Sequence, residues 1–262
     1  MLIDTHAHLY SSQFDNDRNE MIQRALNAGV EKFLLPNIDL DSVEGMYQLV
    51  NQFPTNCYPM MGLHPCSVTH EVTSQLQEIQ HAFEGREYIA IGEIGIDLYW
   101  DKSTLEYQIT AFRTQVEWAK QLKLPIVIHA RDSFEQLFEQ LDELNDESLS
   151  GVFHCFTGGI EEVNKILSYG NFMLGIGGVV TFKKSGLAEV LPHIPLDAII
   201  LETDSPYLSP SPNRGKRNES AYIVYIAEKL SEIYQIPLST VVTITTANAY
   251  TLFPKCNPLL NK

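Results

Sequence analysis

Basic residues are scarce in this chain: 18 Lys and Arg stand against 33 Asp and Glu, a formal net charge of -15 over 262 residues. That deficit excludes a surface that wraps duplex DNA, because such binding rests on Lys and Arg neutralising many phosphates. It does not exclude a nucleic acid as substrate, since divalent cations held in a cleft attract a phosphate locally. Cysteine is scarce as well. Cys57, Cys66, Cys155 and Cys256 lie far apart with no C-x-x-C pair, and a chain of this length needs no staples, so they read as reduced thiols in a cytoplasm. No segment approaches the roughly 20 apolar residues of a membrane span, and Met1 leads straight into Leu2, Ile3 and Asp4 without a basic region or cleavage site. The expectation is a soluble, unexported, cytoplasmic protein with no membrane partner. Low-complexity linkers and internal repeats are absent too, so residues 1–262 read as one domain. The glycine-rich stretch at 175–178 lacks the G-x-G-x-x-G of a nucleotide loop and reads as backbone that lets a substrate approach.

What is present is an alternation of short β-type runs with amphipathic helical stretches. Strand candidates fall at residues 2–5, 32–35, 58–61, 88–91, 126–128, 152–153, 172–174 and 198–201. Leu105, Ile109, Phe112, Val116, Ala119 and Leu122 recur at helical spacing behind a capping-box pattern at Ser103 and Glu106. Val163, Ile166 and Leu167 mark another helix, with Gly170 placed to end it. A longer one runs through Ile223, Ile226, Ala227, Leu230, Ile233 and Tyr234, and the β-branched stretch from Ser239 onward reads as a final packing helix. Eight β/α units in this length match an α/β fold of the (β/α)8 TIM-barrel type, whose active site forms at the carboxyl ends of its parallel strands. An open doubly wound sheet is the alternative; it would place a ligand at one switch point served by few strands.

The residues at those strand ends carry the chemistry. The first strand runs into His6 and His8, the third into His64, the fourth into Glu93, the fifth into His129, the sixth into His154, and the eighth into Glu202 and Asp204. A parallel barrel gathers these ends into one ring. Two imidazoles at i and i+2 share a strand face, neutral imidazole suits first-row divalent ions, and a carboxylate has two oxygens with which to bridge a metal pair. Glu93, between Gly92 and Gly95, is the bridging candidate. Two such ions can activate water and clamp the attacking and leaving oxygens of a phosphodiester.

The stretches "DTHAHL", "GLHP", "IGEIGID", "IHAR", "FHCFTG", "LETDSP" and "NRGKRN", in this order, resemble the successive signatures of the TatD family of metal-dependent deoxyribonucleases, within the amidohydrolase-type barrels. The likeness extends from residue 4 to "TTANAYTLF" near the end of the chain. It implies a first metal held by His6, His8 and Asp204, a second held by His129 and His154, and Glu93 between them. The ions would be Mg2+, Mn2+ or Zn2+. It further implies hydrolysis of phosphodiester bonds in DNA, taken as a single strand or at a free end and cut exonucleolytically.

Roles can be assigned around that set. Asp204 is a candidate proton acceptor from the attacking water as well as a ligand, and Glu202 reads as the partner that orients a histidine. His64 has no metal slot of its own and is a candidate for contact with the scissile phosphate or for proton donation. Arg131 follows His129 by two and can face the pocket, while Arg214, Lys216 and Arg217 lie in the loop over the barrel mouth as candidates for backbone contact. His70, His81 and His193 read as surface or packing residues, and Cys155 as a small thiol turned away from the site. The same metal set would serve a hydrolase of amides, lactones or an aminoacyl ester, against which the basic loop speaks. A non-catalytic protein on a degenerate barrel is disfavoured by the complete ligand set.

Overall fold

The computed structural model describes residues 1–259. Its elements alternate in chain order: β1 (Leu2–Asp4), α1 (Arg18–Asn27), β2 (Val30–Leu35), α2 (Leu40–Gln52), β3 (Cys57–Pro59), α3 (Val72–Ala82), β4 (Ile91–Asp97), α4 (Leu105–Leu122), β5 (Ile126–Arg131), α5 (Phe134–Leu144), β6 (Gly151–Phe153), α6 (Ile160–Ser168), β7 (Phe172–Ile176), α7 (Leu187–Val190), β8 (Ile199–Leu201), α8 (Ile223–Tyr234) and α9 (Leu238–Leu252). These strands pair in parallel, β1 to β3 in one sheet and β4 to β8 in another. A bridge between Met61 and Ile91 joins them at one seam. At the other, a bridge from Ala7 to Ser205 and the Thr5 N–H bond to the Leu201 carbonyl (3.1 Å) bring β1 beside β8. The expected (β/α)8 barrel is the fold observed.

Strands buried on both faces read as continuous apolar runs, and alternate residues serve different layers. Ile3, Leu34, Met60, Val127, Val152 and Ile200 pack with one another and with Leu252, Phe253 and Cys256 from the end of the chain. Their neighbours Phe33, Leu35, Ile126, Ile128, Phe153, Ile199 and Leu201 pack into the larger core with the helices. The barrel interior is therefore plugged at its amino-terminal end by α9 and the turn after it. Period 2 then places the site: two residues beyond Val127 comes His129, beyond Val152 comes His154, and beyond Ile200 comes Glu202.

The structure moves one strand. The apolar run at 88–91 is not β4; it leads into β4, with Ile89 N–H bonded to the Pro59 carbonyl (3.1 Å), and the strand itself is "IGEIGID", buried throughout. Gly, Glu and Asp are depleted in ordinary strands, so this one reads as a loop. Gly95 is required there: at φ 147°, a Cβ would stand 2.0 Å from the His129 carbonyl oxygen, so the space is used by β5. Gly175 likewise leaves room for the Glu202 carboxylate, whose oxygen would lie 2.3 Å from a Cβ. Gly175 thus accommodates the site's own side chain, while at Gly178 a Cβ would stand 2.1 Å from the Leu208 carbonyl oxygen, so the stretch is filled by the protein itself.

The remaining corrections are local. β5 extends through His129 to Arg131, further than the apolar run suggests. The helix α4 does not begin with a capping box at Ser103; Asp101 accepts from the Ser103 N–H (2.8 Å) and hydroxyl (2.6 Å), and Leu105 opens the helix without a side-chain cap. Gly170, at φ 90°, follows α6 as expected, and the β-branched stretch forms α9.

Candidate metal centre

Glu93 sits in β4 with its side chain buried, and its two oxygens face two different groups of histidines, two at Oε2 and three at Oε1. Oε2 lies 3.1 Å from His6 Nε2 and 3.5 Å from His8 Nε2. Oε1 lies 2.8 Å from His129 Nδ1, 2.7 Å from His154 Nε2 and 3.2 Å from His64 Nε2. Asp204 Oδ1 stands 3.5 Å from His8 Nε2 and 3.8 Å from His6 Nε2. The six ligand candidates, His6, His8, Glu93, His129, His154 and Asp204, are thus brought together with His64 at one end of the barrel.

The hydrogen bonds fix where the imidazole protons go. Tyr10 donates its hydroxyl proton to the Pro36 carbonyl (2.6 Å) and so accepts from His8 Nδ1 (3.0 Å). His8 Nε2 is left with a lone pair aimed at Glu93 and Asp204. His129 Nε2 donates to Asp97 Oδ2 (2.9 Å), which leaves Nδ1 to face Glu93. His64 is arranged the other way: its Nδ1 accepts the Cys66 N–H (3.0 Å), so the neutral ring carries its proton on Nε2, pointed at Glu93 Oε1 (3.2 Å). Burial holds His64 below its ordinary pKa and favours that neutral form.

The carboxylates remain ionised. Burial pushes Glu93 up, yet His154, His64 and His6 around it hold it well below the usual carboxylate range. Asp204 behaves alike: burial raises it, and the His8 hydrogen bond with nearby His6 and His154 brings it below its ordinary value. Its backbone adopts φ 57°, a left-handed conformation that Asp tolerates better than most residues. Glu202 receives the Cys155 N–H and lies 3.6 Å from His154 Nδ1, where it can orient that ring. Burial and the nearby Asp204, Glu202 and Glu93 hold the Cys155 thiol well above its ordinary pKa, so it stays protonated.

This donor set fits divalent cations. Five imidazoles crowd one carboxylate, and two of their nitrogens, His129 Nδ1 and His154 Nε2, face each other at 3.3 Å, where both cannot carry protons. Among the described residues, His6 Nδ1, His154 Nδ1 and Glu202 Oε2 are buried without a hydrogen-bond partner. Among the described residues, histidine and glutamate ligand atoms gather within 4.8 Å of one another in three groups: His6, His8 and Glu93; His64, Glu93 and His129; His6, His154 and Glu202. Glu93 belongs to two of them, as a bridging ligand would.

The candidate substrate contacts are dispersed. Arg131 lies over Tyr99, with its guanidinium carbon 3.7 Å from the ring centroid. Arg214 stacks on Phe182 at 4.2 Å, and Lys216 is exposed in the same loop. Arg217 is engaged elsewhere: both its terminal nitrogens bond Asp17 at 2.7 Å, so it is not free to meet a substrate. His70, His81 and His193 are exposed.

Two residues that sequence reasoning missed support the centre. Asp97 holds His129 and is itself brought down to about 2, its burial outweighed by the His129 hydrogen bond and the Trp100 and Tyr99 N–H groups. Its spacing of four from Glu93 in one strand was the available signal. Tyr10, two residues beyond His8, offered only its proximity.

A family model described as TatD related DNase matches residues 3–254. The chain belongs to the TatD family. Within it, the metal-dependent hydrolase YabD of Bacillus subtilis is 38% identical over 97% of this chain and 99% of the relative. The 3'-5' ssDNA/RNA exonuclease TatD of Salmonella typhimurium is 33% identical over 96% of this chain and 98% of its own. Among solved structures, the TatD homolog YJJV from Escherichia coli superposes with a TM-score of 0.89 at 28% identity, covering 97% of this chain and 98% of that one. As a TatD family member the chain is a metal-dependent hydrolase, and no helix among its described residues is long and apolar enough to cross a membrane.

Proposed function

We propose that this protein hydrolyses phosphodiester bonds in DNA with two divalent ions, working exonucleolytically on single strands or free ends in the cytoplasm, and that residues 1–262 act as one catalytic unit. The observation that carries this reading is Glu93, one carboxylate with one oxygen turned to His6 and His8 and the other to His129 and His154, with His64 beside them. His6, His8 and Asp204 would hold one ion, His129 and His154 the other, with Glu93 shared; when bound, the ions supply charge neutralisation at the phosphoryl oxygens and lower the pKa of water.

The protein's own groups complete the chemistry. Asp204, ionised and at the pocket edge, accepts the proton of the attacking water. His64 presents Nε2–H to a phosphoryl or leaving oxygen, where a donor offsets the charge of a departing alkoxide. Asp97 and Tyr10 hold His129 and His8 in their working orientations, and Glu202 lies beside His154 Nδ1 at 3.6 Å. Arg131, Arg214 and Lys216 remain to meet a backbone phosphate. The test is incubation of the purified protein with single- and double-stranded DNA oligonucleotides, with and without Mg2+, Mn2+ or Zn2+. Metal-dependent shortening of the single strand from one end is expected; ester or amide hydrolysis with intact oligonucleotides would overturn the reading.

A further inference from the structure

Trp100 is 71% exposed and its neighbour Tyr99 54%, whereas the chain's other tryptophan, Trp118, is 8% exposed in the core. Large aromatic faces left in water on a folded surface mark contact sites more often than chance packing. These two lie in the loop that leaves the carboxyl end of β4, the rim on which the metal centre opens.

They are held in place. The Asp97 carboxylate accepts the N–H groups of Tyr99 (3.0 Å) and Trp100 (3.3 Å), and the Leu98 N–H bonds the Arg131 carbonyl (2.9 Å). The two rings meet edge to face with centroids 4.8 Å apart, and the Arg131 guanidinium covers Tyr99 at 3.7 Å and Trp100 at 5.4 Å. Asp97 is also the residue that grips His129. One carboxylate therefore ties the aromatic pair to a metal-ligand candidate.

In a chain of net charge -15 with Arg217 committed to Asp17, few cations remain to hold a nucleic acid backbone, so a second source of affinity is needed. Base stacking can supply it, because every nucleobase offers a π-face whatever its sequence. Resting on the phosphodiesterase reading above, we propose that Tyr99 and Trp100, backed by Arg131, form a stacking subsite for an unpaired nucleobase next to the scissile phosphate. A paired base inside a duplex keeps its face covered by its neighbours, so the subsite selects single strands and frayed ends. Arg131 adds a cation beside the phosphate that follows the stacked base.

The test compares the metal-loaded wild type with Trp100→Ala and Trp100→Phe on a single strand of about 12 nucleotides, long enough to fill a groove of this kind, and on the same strand carrying one abasic site at each nucleotide in turn near the cleaved end. Trp100→Ala should lower kcat/KM on the intact strand about 10- to 100-fold, chiefly through KM, and Trp100→Phe should restore most of it. At one position the abasic site should penalise the wild type equally and add nothing to Trp100→Ala. With Trp118 buried, quenching of tryptophan emission by the intact strand, abolished when that one base is removed, reports stacking independently of turnover. Penalties that multiply at every position, or quenching indifferent to the missing base, would overturn the subsite. Base-sensitive quenching without cleavage under any ion would sustain the subsite and sink the hydrolytic reading.

Discussion

Two clusters of charge in this protein are built on opposite plans. On the rim, Asp17 and Glu219 meet Arg24 and Arg217. Arg217 grips Asp17 with both terminal nitrogens, and Arg24 joins Asp17 (2.9 Å) to Glu219 (2.6 Å), tying α1 to the segment before α8. Two cations face two anions in fork geometry, and the set is complete. In the centre, five imidazoles surround the single Glu93 carboxylate, and His129 Nδ1 and His154 Nε2 face each other at 3.3 Å, where both cannot carry protons. The complete set fastens loops to a helix; the incomplete one is arranged to receive cations. Counting charges would not separate them, but following each proton to its acceptor does.

The largest break in that contrast is at Asp204. Asp204→Asn keeps the size and one coordinating oxygen but removes the basicity, so turnover should fall by about 10² to 10⁴ while metal content largely persists. Elemental analysis beside steady-state rates checks this. A metal content that falls in step with activity would leave Asp204 a ligand alone.

Next comes Asp97. Asp97→Asn weakens the acceptor that fixes His129, and metal affinity should drop about 10- to 100-fold, the usual scale for a residue that orients a ligand. Titration with Mn2+ or Zn2+ measures it; unchanged affinity would make Asp97 a loop anchor only.

That residue also shows where the sequence stopped being legible. His6, His8, His129, His154 and Asp204 were readable as strand-end residues that a barrel gathers, while their division between two metals came only from the family resemblance. Asp97 was not, because β4 is made of glycines and carboxylates that the barrel buries for the site's sake, while the apolar run at 88–91 drew the strand boundary too early. The barrel itself was readable from the other apolar runs. Arg217 read as a substrate contact because its partner Asp17 lies 200 residues away, and no local pattern announces such a pair. The orientation of His8 depends on a proton that Tyr10 gives to a carbonyl of another segment, which only the folded chain reveals.

A smaller effect is expected in the loop after β8. Arg214→Ala combined with Lys216→Ala should weaken oligonucleotide binding and lower the salt slope by about one for each phosphate that the loop no longer neutralises. Binding isotherms at several salt concentrations decide it, and an unchanged slope would remove the loop from the interface.

The smallest effect belongs to the rim cluster. Asp17→Asn should cost about 1 kcal/mol at neutral pH, as expected for a partly exposed ion pair. Hydrogen bonds from Arg217 and then Arg24 hold the Asp17 carboxyl far below its ordinary pKa. A depressed carboxylate contributes stability above its unfolded pKa and loses it as pH falls toward the folded value. The Tm gap between wild type and variant should therefore be present at neutral pH and close as the pH drops below about 4. A gap that persists in acid would mean that packing, not charge, fastens the rim.

The most direct test of the central claim is metal stoichiometry at Glu93. After dialysis against Mn2+ and then metal-free buffer, mass spectrometric elemental analysis should find two ions per chain in the wild type. Glu93→Ala, with two like-charged ions left without shared neutralisation, should lose the paired site and retain one ion at most. Two ions held as tightly in Glu93→Ala as in the wild type would contradict a bridging role for this carboxylate.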